Sequence, residues 1–402
     1  MIRVLRIINR FNLGGPTYNV AYLSKYLSDD YDTLLVGGVE DITEASSDFI
    51  VNSLNLKPVI IPEMRREINL KNDYIAYKKL LQIIKDYKPH IVHTHASKAG
   101  TLGRLAASTA KVPVIIHTFH GHVFHSYFGK LKTSFYKNIE RYLAKKSTAI
   151  VAISEKQKEE LVNVYNITTE DKVKVVPLGF DLSKFQEDTC NKRKLFRSTY
   201  NVSNNDIVIS IIGRLVPVKN HKLFLQGLKN ISKKTTKKIR GFIIGDGESS
   251  EEIKGLAKEM EIEFDDNSNP ASKNNSLLTF TSWIKDIDVA LSGSDIITLT
   301  SFNEGTPVSL IEAQAANKPI VTTNVGGIEN VIKVDETALI CSNDNVEQFT
   351  DQLLRLVEDD ELRTRLSQNG WNHVKNKFHY TRLTSDMETL YHSLLKDGTN
   401  FV

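Results

Sequence analysis

Along the chain, hydrophobic and polar positions repeat one pattern: a short apolar run, a turn, then a stretch with helical spacing. In the first half the apolar runs lie at 3–8 (RVLRII), 32–38, 58–62, 90–96 (HIVHTHA), 113–119 (PVIIHTF), 148–154 and 173–179. They are rich in Val and Ile and mostly lack strict alternation, as strands covered on both faces of a parallel sheet do. Helical spacing fills 17–27, 71–87, 98–109, 131–146 and 155–164. After a polar stretch at 181–206, a second series of runs lies at 207–213, 240–246, 277–282, 295–301, 319–324 and 337–341. Two blocks of alternating strand and helix predict an α/β fold with two doubly wound, Rossmann-like domains. Ligands of such sheets bind at the strand C-terminal ends, here expected to face each other across a cleft. Helical patterns at 346–357, 360–377 and 380–395 have no strands between them and are expected to cover a seam between the domains. The segment 263–276 reads as a polar loop.

Composition changes this picture only by exclusion. A formal net charge of +4 is too small to argue for nucleic acid. Cys190 and Cys341 are far apart and form no CxxC, which excludes a disulfide scaffold and a cysteine zinc site and fits a reducing compartment. The start, MIRVLRIINRFNLGG, lacks the long apolar region and cleavage site of a signal peptide and reads as a first strand. No stretch reaches the roughly 18–20 apolar residues of a membrane span. The expectation is a cytoplasmic protein that could still sit on a membrane surface.

The chemistry is sought after each strand. After the first come Gly14 and Gly15 at a helix start, where the backbone can approach a ligand closely and free N–H groups can meet an anion. The dinucleotide pattern GxGxxG is absent there, against a nicotinamide enzyme. After 207–213 comes Gly213-Arg214-Leu215-Val216-Pro217-Val218-Lys219, whose two cations suit a diphosphate, the arginine by its fork and the lysine as a point charge. GDGE, with Gly245 and Gly247, is a glycine turn, and Trp283-Ile284 offers apolar surface to a flat ring. After 295–301, the loop Asn303-Glu304-Gly305-Thr306 leads to Pro307, which fits a first helical turn. The helix start can bind an anion, and Glu312, more than one turn in, would need donors such as a ribose diol if buried. The alternatives are a mere tight turn at Gly14 and Gly15, solvated surface cations at Arg214 and Lys219, packing at Trp283-Ile284 and an exposed helix residue at Glu312.

Histidines gather in the first half: His93 and His95 in one strand, and His117, His120, His122 and His125 around the end of the next. HTFHGHVFH lacks HExxH, so neutral histidines bonded to a polar ligand or to each other are favoured over zinc. Asp286-Ile287-Asp288 matches a DxD metal pattern but is read as the start of a helix 286–293 with Asp286 as N-cap.

Together, LGGPTYN, HTHASKAG, HTFHGH, AISEKQKEEL, VVPLGFDLSKF, GRLVPVKN, GDGE and NEGTPVSLIEA resemble the retaining glycosyltransferases of family 4, with the GT-B fold. The histidine segments further resemble enzymes that build bacterial surface polysaccharides. The resemblance implies an N-terminal, acceptor-side domain over 1–183 and a nucleotide-sugar-binding domain over 184–379, with a last helix (about 380–402) packing back on the first. It implies that Arg214 and Lys219 hold the donor diphosphate, that Glu312 binds the ribose and that Glu304 contacts the donor sugar. The backbone of Gly305 and Thr306 would meet sugar and phosphate, His120 would contact the sugar, Ile284 the base, and Gly15 the diphosphate. Asn220 departs from the glycine that many relatives carry after the lysine, with a small loop change expected.

Cations and helix-start N–H groups at the leaving diphosphate make a metal unnecessary, so no metal or other cofactor is expected. The donor would be a nucleotide sugar, UDP first by family frequency. The acceptor would be a glycan or a polyprenyl-diphosphate-linked sugar. The stretch 124–146 mixes aromatics with Lys130, Lys132, Lys137, Arg141, Lys145 and Lys146 against one acid, Glu140, which suits an anionic membrane surface as well as a plain solvated helix face. A 2-epimerase of the same fold and a nucleotide-sugar-binding protein without activity are the alternatives, the latter disfavoured by intact Arg214, Lys219, Glu304 and Glu312.

Overall fold

In the computed structural model, the described residues are 1–11, 15–39, 48–65, 67–121, 130–267 and 275–399. The apolar runs become two parallel sheets. The first contains β1 (Ile2–Arg10), β2 (Tyr31–Gly38), β3 (Val59–Ile60), β4 (Ile91–His95), β5 (Val114–Phe119), β6 (Ala149–Ala152) and β7 (Val173–Val175). Its order is β3-β2-β1-β4-β5-β6-β7, every pair parallel. The second contains β8 (Ile207–Ile212), β9 (Ile239–Ile244), β10 (Phe264–Asp266), β11 (Leu278–Phe280), β12 (Ile296–Leu299), β13 (Ile320–Thr323) and β14 (Ala338–Cys341), in the order β10-β11-β9-β8-β12-β13-β14. Continuous burial of β4, β5 and β9 explains why these runs lack polar alternation: helices cover both sheet faces.

The chain divides into one unit formed by Met1–Phe180 and Phe378–Val402 and another formed by Asp181–Lys377. Its last helix, Tyr380–Thr399, belongs to the first unit. There Leu383, Met387, Leu390, Tyr391 and Leu394 share a core with Val4, Ile91, Val114 and Ile116 from one sheet face. The opposite face, with Leu5, Ile7, Val92 and Ile115, packs on Leu80, Ile84, Leu102 and Ala106.

Several expectations change. Within the loop expected at 263–276, Phe264–Asp266 forms edge strand β10, because Phe264 sets its ring edge-on to Phe280 at 5.2 Å and pairs with Leu278; 268–274 lie outside the described residues. The polar stretch 181–206 holds a helix, Thr189–Thr199, whose Phe196 is buried against Gly293 and Phe242. The helix Asp48–Ser53 was not expected. Pro307 is the cap of helix Val308–Ala315 and not part of its first turn. Asp286 stands at the N-cap of Ile287–Gly293 but its side chain makes no capping bond; Asp288 is paired with Lys192 at 2.8 Å.

Candidate active site

The loops after the second sheet's central strands are built against one another. Gly213 follows β8 with φ +156, and Gly245 follows β9 with φ +148. A Cβ on Gly245 would lie 1.9 Å from the Gly213 carbonyl oxygen, so only glycine allows the two loops to touch. Gly245 N donates to Ser282 O at 3.0 Å, which ties in the strand end two residues before the half-buried Ile284.

From the Gly213 loop, Arg214 is exposed and makes no hydrogen bond or ion pair among the described residues. The short 3₁₀ turn Pro217–Lys219 carries Lys219 to Glu304, Nζ to Oε1 2.6 Å. Ser301 Oγ donates to the same oxygen at 2.5 Å. Asn220, next along, has φ 49 and ψ 51, the left-handed conformation that asparagine tolerates better than most side chains. That accounts for asparagine standing where glycine is common.

Glu304-Gly305 is held from behind by a pair the sequence reading missed. Gly327 N donates to Glu304 O at 2.8 Å. A Cβ on Gly326 would meet that carbonyl oxygen at 1.9 Å, and one on Gly327 would meet Gly305 O at 1.9 Å. The Gly-Gly pair just after the run 319–324 was the available signal. Gly305 itself is exposed, with open space where a Cβ would stand. Thr306 is half-buried and Pro307 buried at the start of Val308–Ala315.

Glu312, on that helix, has different neighbours from Glu304. Its carboxyl makes no hydrogen bond or ion pair among the described residues. Burial pushes its pKa up to about 7, opposed by the positive charge of Lys184 and assisted by the negative charge of Asp288. Glu312 is half-buried, and the protein supplies its carboxyl no hydrogen-bond donor among the described residues.

On the first unit, Gly15 opens helix Gly15–Lys25, while Gly14 lies outside the described residues. His120 follows β5 and its Nε2 stands 2.9 Å from His95 Nδ1. His95 Nε2 is 3.4 Å and His93 Nδ1 3.1 Å from the guanidinium of buried Arg6. Burial holds His120 down to about 3 and His93 and His95 well below the ordinary range, with Arg6 adding repulsion at the latter two. His117 faces the other side of the sheet and meets Thr94 Oγ1 at 2.9 Å. His122 and His125 lie outside the described residues. Among the described residues, no group of three or more His, Cys, Asp or Glu is placed to hold a metal ion.

The basic stretch is simpler than expected. Its described helix, Lys130–Lys146, turns Glu140 inward onto buried Arg104 at 2.6 Å. Arg141 is spent on the carbonyls of Tyr165 and Asn166. Phe135, Asn138, Tyr142 and Lys145 remain as an exposed stripe at helical spacing. Residues 124–129 lie outside the described residues, and no described helix is long and apolar enough to cross a membrane.

Known proteins resemble this chain in sequence and in fold. A family model described as glycosyl transferases group 1 matches residues 192–373, and one described as Glycosyltransferase Family 4 matches residues 13–184. The UDP-Gal:alpha-D-GlcNAc-diphosphoundecaprenol alpha-1,3-galactosyltransferase of Escherichia coli is 30% identical to this chain, over 84% of each. The capsular polysaccharide biosynthesis glycosyltransferase CapM of Staphylococcus aureus is 27% identical, over 84% of this chain and 86% of that one. The crystal structure of Anabaena Alr3699/HepE in complex with UDP matches with a TM-score of 0.79 at 15% identity, covering 98% of this chain and 100% of that one, a likeness of fold. The chain is a bacterial-type glycosyltransferase of family 4 with the GT-B fold.

Proposed function

We propose that this enzyme transfers a sugar from a UDP-sugar, with retention of anomeric configuration, to a polyprenyl-diphosphate-linked acceptor in surface polysaccharide synthesis. The observation that carries the reading is the Lys219–Glu304 pair beside the start of helix Val308–Ala315, with Arg214 unpaired on the same loop. Breaking the anomeric C–O bond leaves an oxocarbenium-like sugar and a diphosphate anion. Lys219, Arg214 and the helix-start N–H groups favour that anion as it forms. Without donor, Glu304 neutralises Lys219; with donor, the diphosphate takes the lysine and Glu304 turns to the sugar. Glu312 takes two donor bonds from the ribose diol, the partners its carboxyl lacks. Ile284 meets the base, Gly15 the diphosphate, and Gly305 and Thr306 the sugar and phosphate through their backbone.

Because fixed cations meet the leaving group, the reaction needs no metal. The choice of UDP and of a lipid-linked acceptor is supported by the E. coli relative, whose name states both. Work at a membrane surface is supported by the stripe of Phe135, Tyr142 and Lys145 with Glu140 turned away from it.

A panel of nucleotide sugars tests the donor, read by nucleotide release and by thermal shift, with and without lipid-linked acceptor. UDP-sugars should stabilise the wild type and not Glu312→Ala; equally poor binding of every donor by both proteins ends the reading. The product's anomeric proton coupling reports retention. Flotation with anionic liposomes tests the stripe: Phe135→Ser with Lys145→Glu should release the protein, and an unchanged distribution would remove the membrane from the proposal.

A further inference from the structure

Strand alternation puts Arg6, His93 and His95 on one face of the first sheet: Arg6 pairs in register with His93, and Ile8 with His95. Arg6 is fully buried, and a guanidinium can only donate. The imidazole nitrogens turned to it, His93 Nδ1 and His95 Nε2, must therefore be lone pairs, since an N–H at either would point hydrogen at hydrogen. His93 then carries its proton on Nε2, where Thr118 Oγ1 receives it at 2.7 Å. His95, neutral beside a buried cation, carries its proton on Nδ1 and donates it to His120 Nε2 at 2.9 Å. His120 accepts there, so its own proton sits on Nδ1. That atom is buried and has no hydrogen-bond partner.

We propose that Arg6 and His95 are positioning residues that fix His120 as a neutral Nδ1–H donor, presented to an uncharged oxygen of the sugar being transferred. The inference rests on the glycosyl-transfer reading above and adds the direction of the hydrogen bond: His120 gives one and takes no proton. A buried N–H without a partner is left unsatisfied at a cost in free energy, so a ligand oxygen that fills the place recovers it. Ala96, directly after His95, has φ 67 and ψ 156, a conformation suited to glycine, so the chain accepts strain beside this relay.

The test uses the full chain labelled with ¹⁵N-histidine, with His120→Gln identifying the His120 signals. In the ligand-free wild type, Nδ1 should be protonated and Nε2 not, unchanged over the range where a free imidazole titrates. Arg6→Lys keeps a donor-only group and should keep the tautomer and most of kcat. Arg6→Met should mix the tautomer and lower kcat about tenfold or more, the scale of one hydrogen bond in the transition state, with KM moving less. If Arg6→Met fails to fold, His95→Leu removes only the link and should shift His120 to the Nε2–H form. An Nε2–H His120 in the wild type, or variants that lose stability while keeping both tautomer and kcat, would overturn the proposal. A wild type with the expected tautomer that turns over no nucleotide sugar would instead sink the glycosyl-transfer reading and leave the tautomer assignment standing.

Discussion

Glu304 and Glu312 carry the same carboxyl group into opposite situations. Glu304 is held by Lys219 and Ser301, so its charge is already compensated. Glu312 has no protein partner and is pushed toward protonation. Glu304→Gln should therefore cut kcat by about 100-fold while UDP binds as well or better, because Lys219 is released to the diphosphate. Glu312→Ala should chiefly weaken donor binding. Initial-rate kinetics and UDP titration separate the two, and matching losses in both parameters for both variants would refute the division. Glu312 also sets a pH dependence. Its folded pKa of about 7 lies above the usual 4.5, so the unfolded chain ionises first and stability falls as pH rises from 4.5 to 7. Glu312→Gln should recover on the order of 1 kcal/mol above that window and nothing below it, the figure kept small because the residue retains some solvent contact. Melting curves on ligand-free protein check it. These carboxylates were legible because residues after a parallel strand face the ligand side. Arg6 was not: in RVLRII both Arg3 and Arg6 look like polar positions of a half-exposed strand, and the role of Arg6 depends on a histidine strand far away in sequence.

At the scale of elements, helix Lys130–Lys146 shows how one buried pair sets which face is free. Arg104 and Glu140 are both buried and paired at 2.6 Å, joining this helix to Ser97–Thr109. Breaking such a pair strands a charge, so Glu140→Ala should cost about 3–5 kcal/mol in denaturant unfolding, whereas joint replacement of both residues by apolar ones should cost much less. A loss below roughly 1 kcal/mol would mean that Glu140 is solvated. Periodicity revealed this helix but not the destination of its single acid, which no spacing rule supplies. The same limit explains β10 and helix Thr189–Thr199. Three residues are too few for a strand pattern, and β10 forms because its neighbour β11 and the ring of Phe280 are already in place. The helix reads as polar because only Phe196 and Arg197 of its residues are buried. Tertiary packing decides such marginal segments, while β4, β5, β8 and β9 declared themselves by short runs rich in Val and Ile.

At the scale of the molecule, the chain returns to its first unit after completing the second. The return is marked by hydrogen bonds from Phe180 N to Phe378 O at 2.8 Å and from Tyr380 N to Phe180 O at 3.0 Å. Gly179 lets the returning helix in, since a Cβ there would stand 2.6 Å from that of Leu383. Leu383, Met387, Leu390, Tyr391 and Leu394 then complete one face of the first sheet. Burying each is worth about 1.5–3 kcal/mol, so the helix contributes on the order of 10 kcal/mol. That equals the whole stability of a typical domain, about 5–15 kcal/mol. Truncation after Lys377 should therefore unfold the first unit and also remove Tyr391 from His93, to which it bonds at 2.6 Å. The second unit contains its own core, built on Phe224, Ile243, Phe349 and Leu353. Limited proteolysis of the truncated chain should thus digest residues 1–180 and leave a resistant fragment spanning about 181–377 that still binds UDP. Protection of both regions would show that the first sheet holds without its last helix. Loss of both would show that the second unit depends on the first.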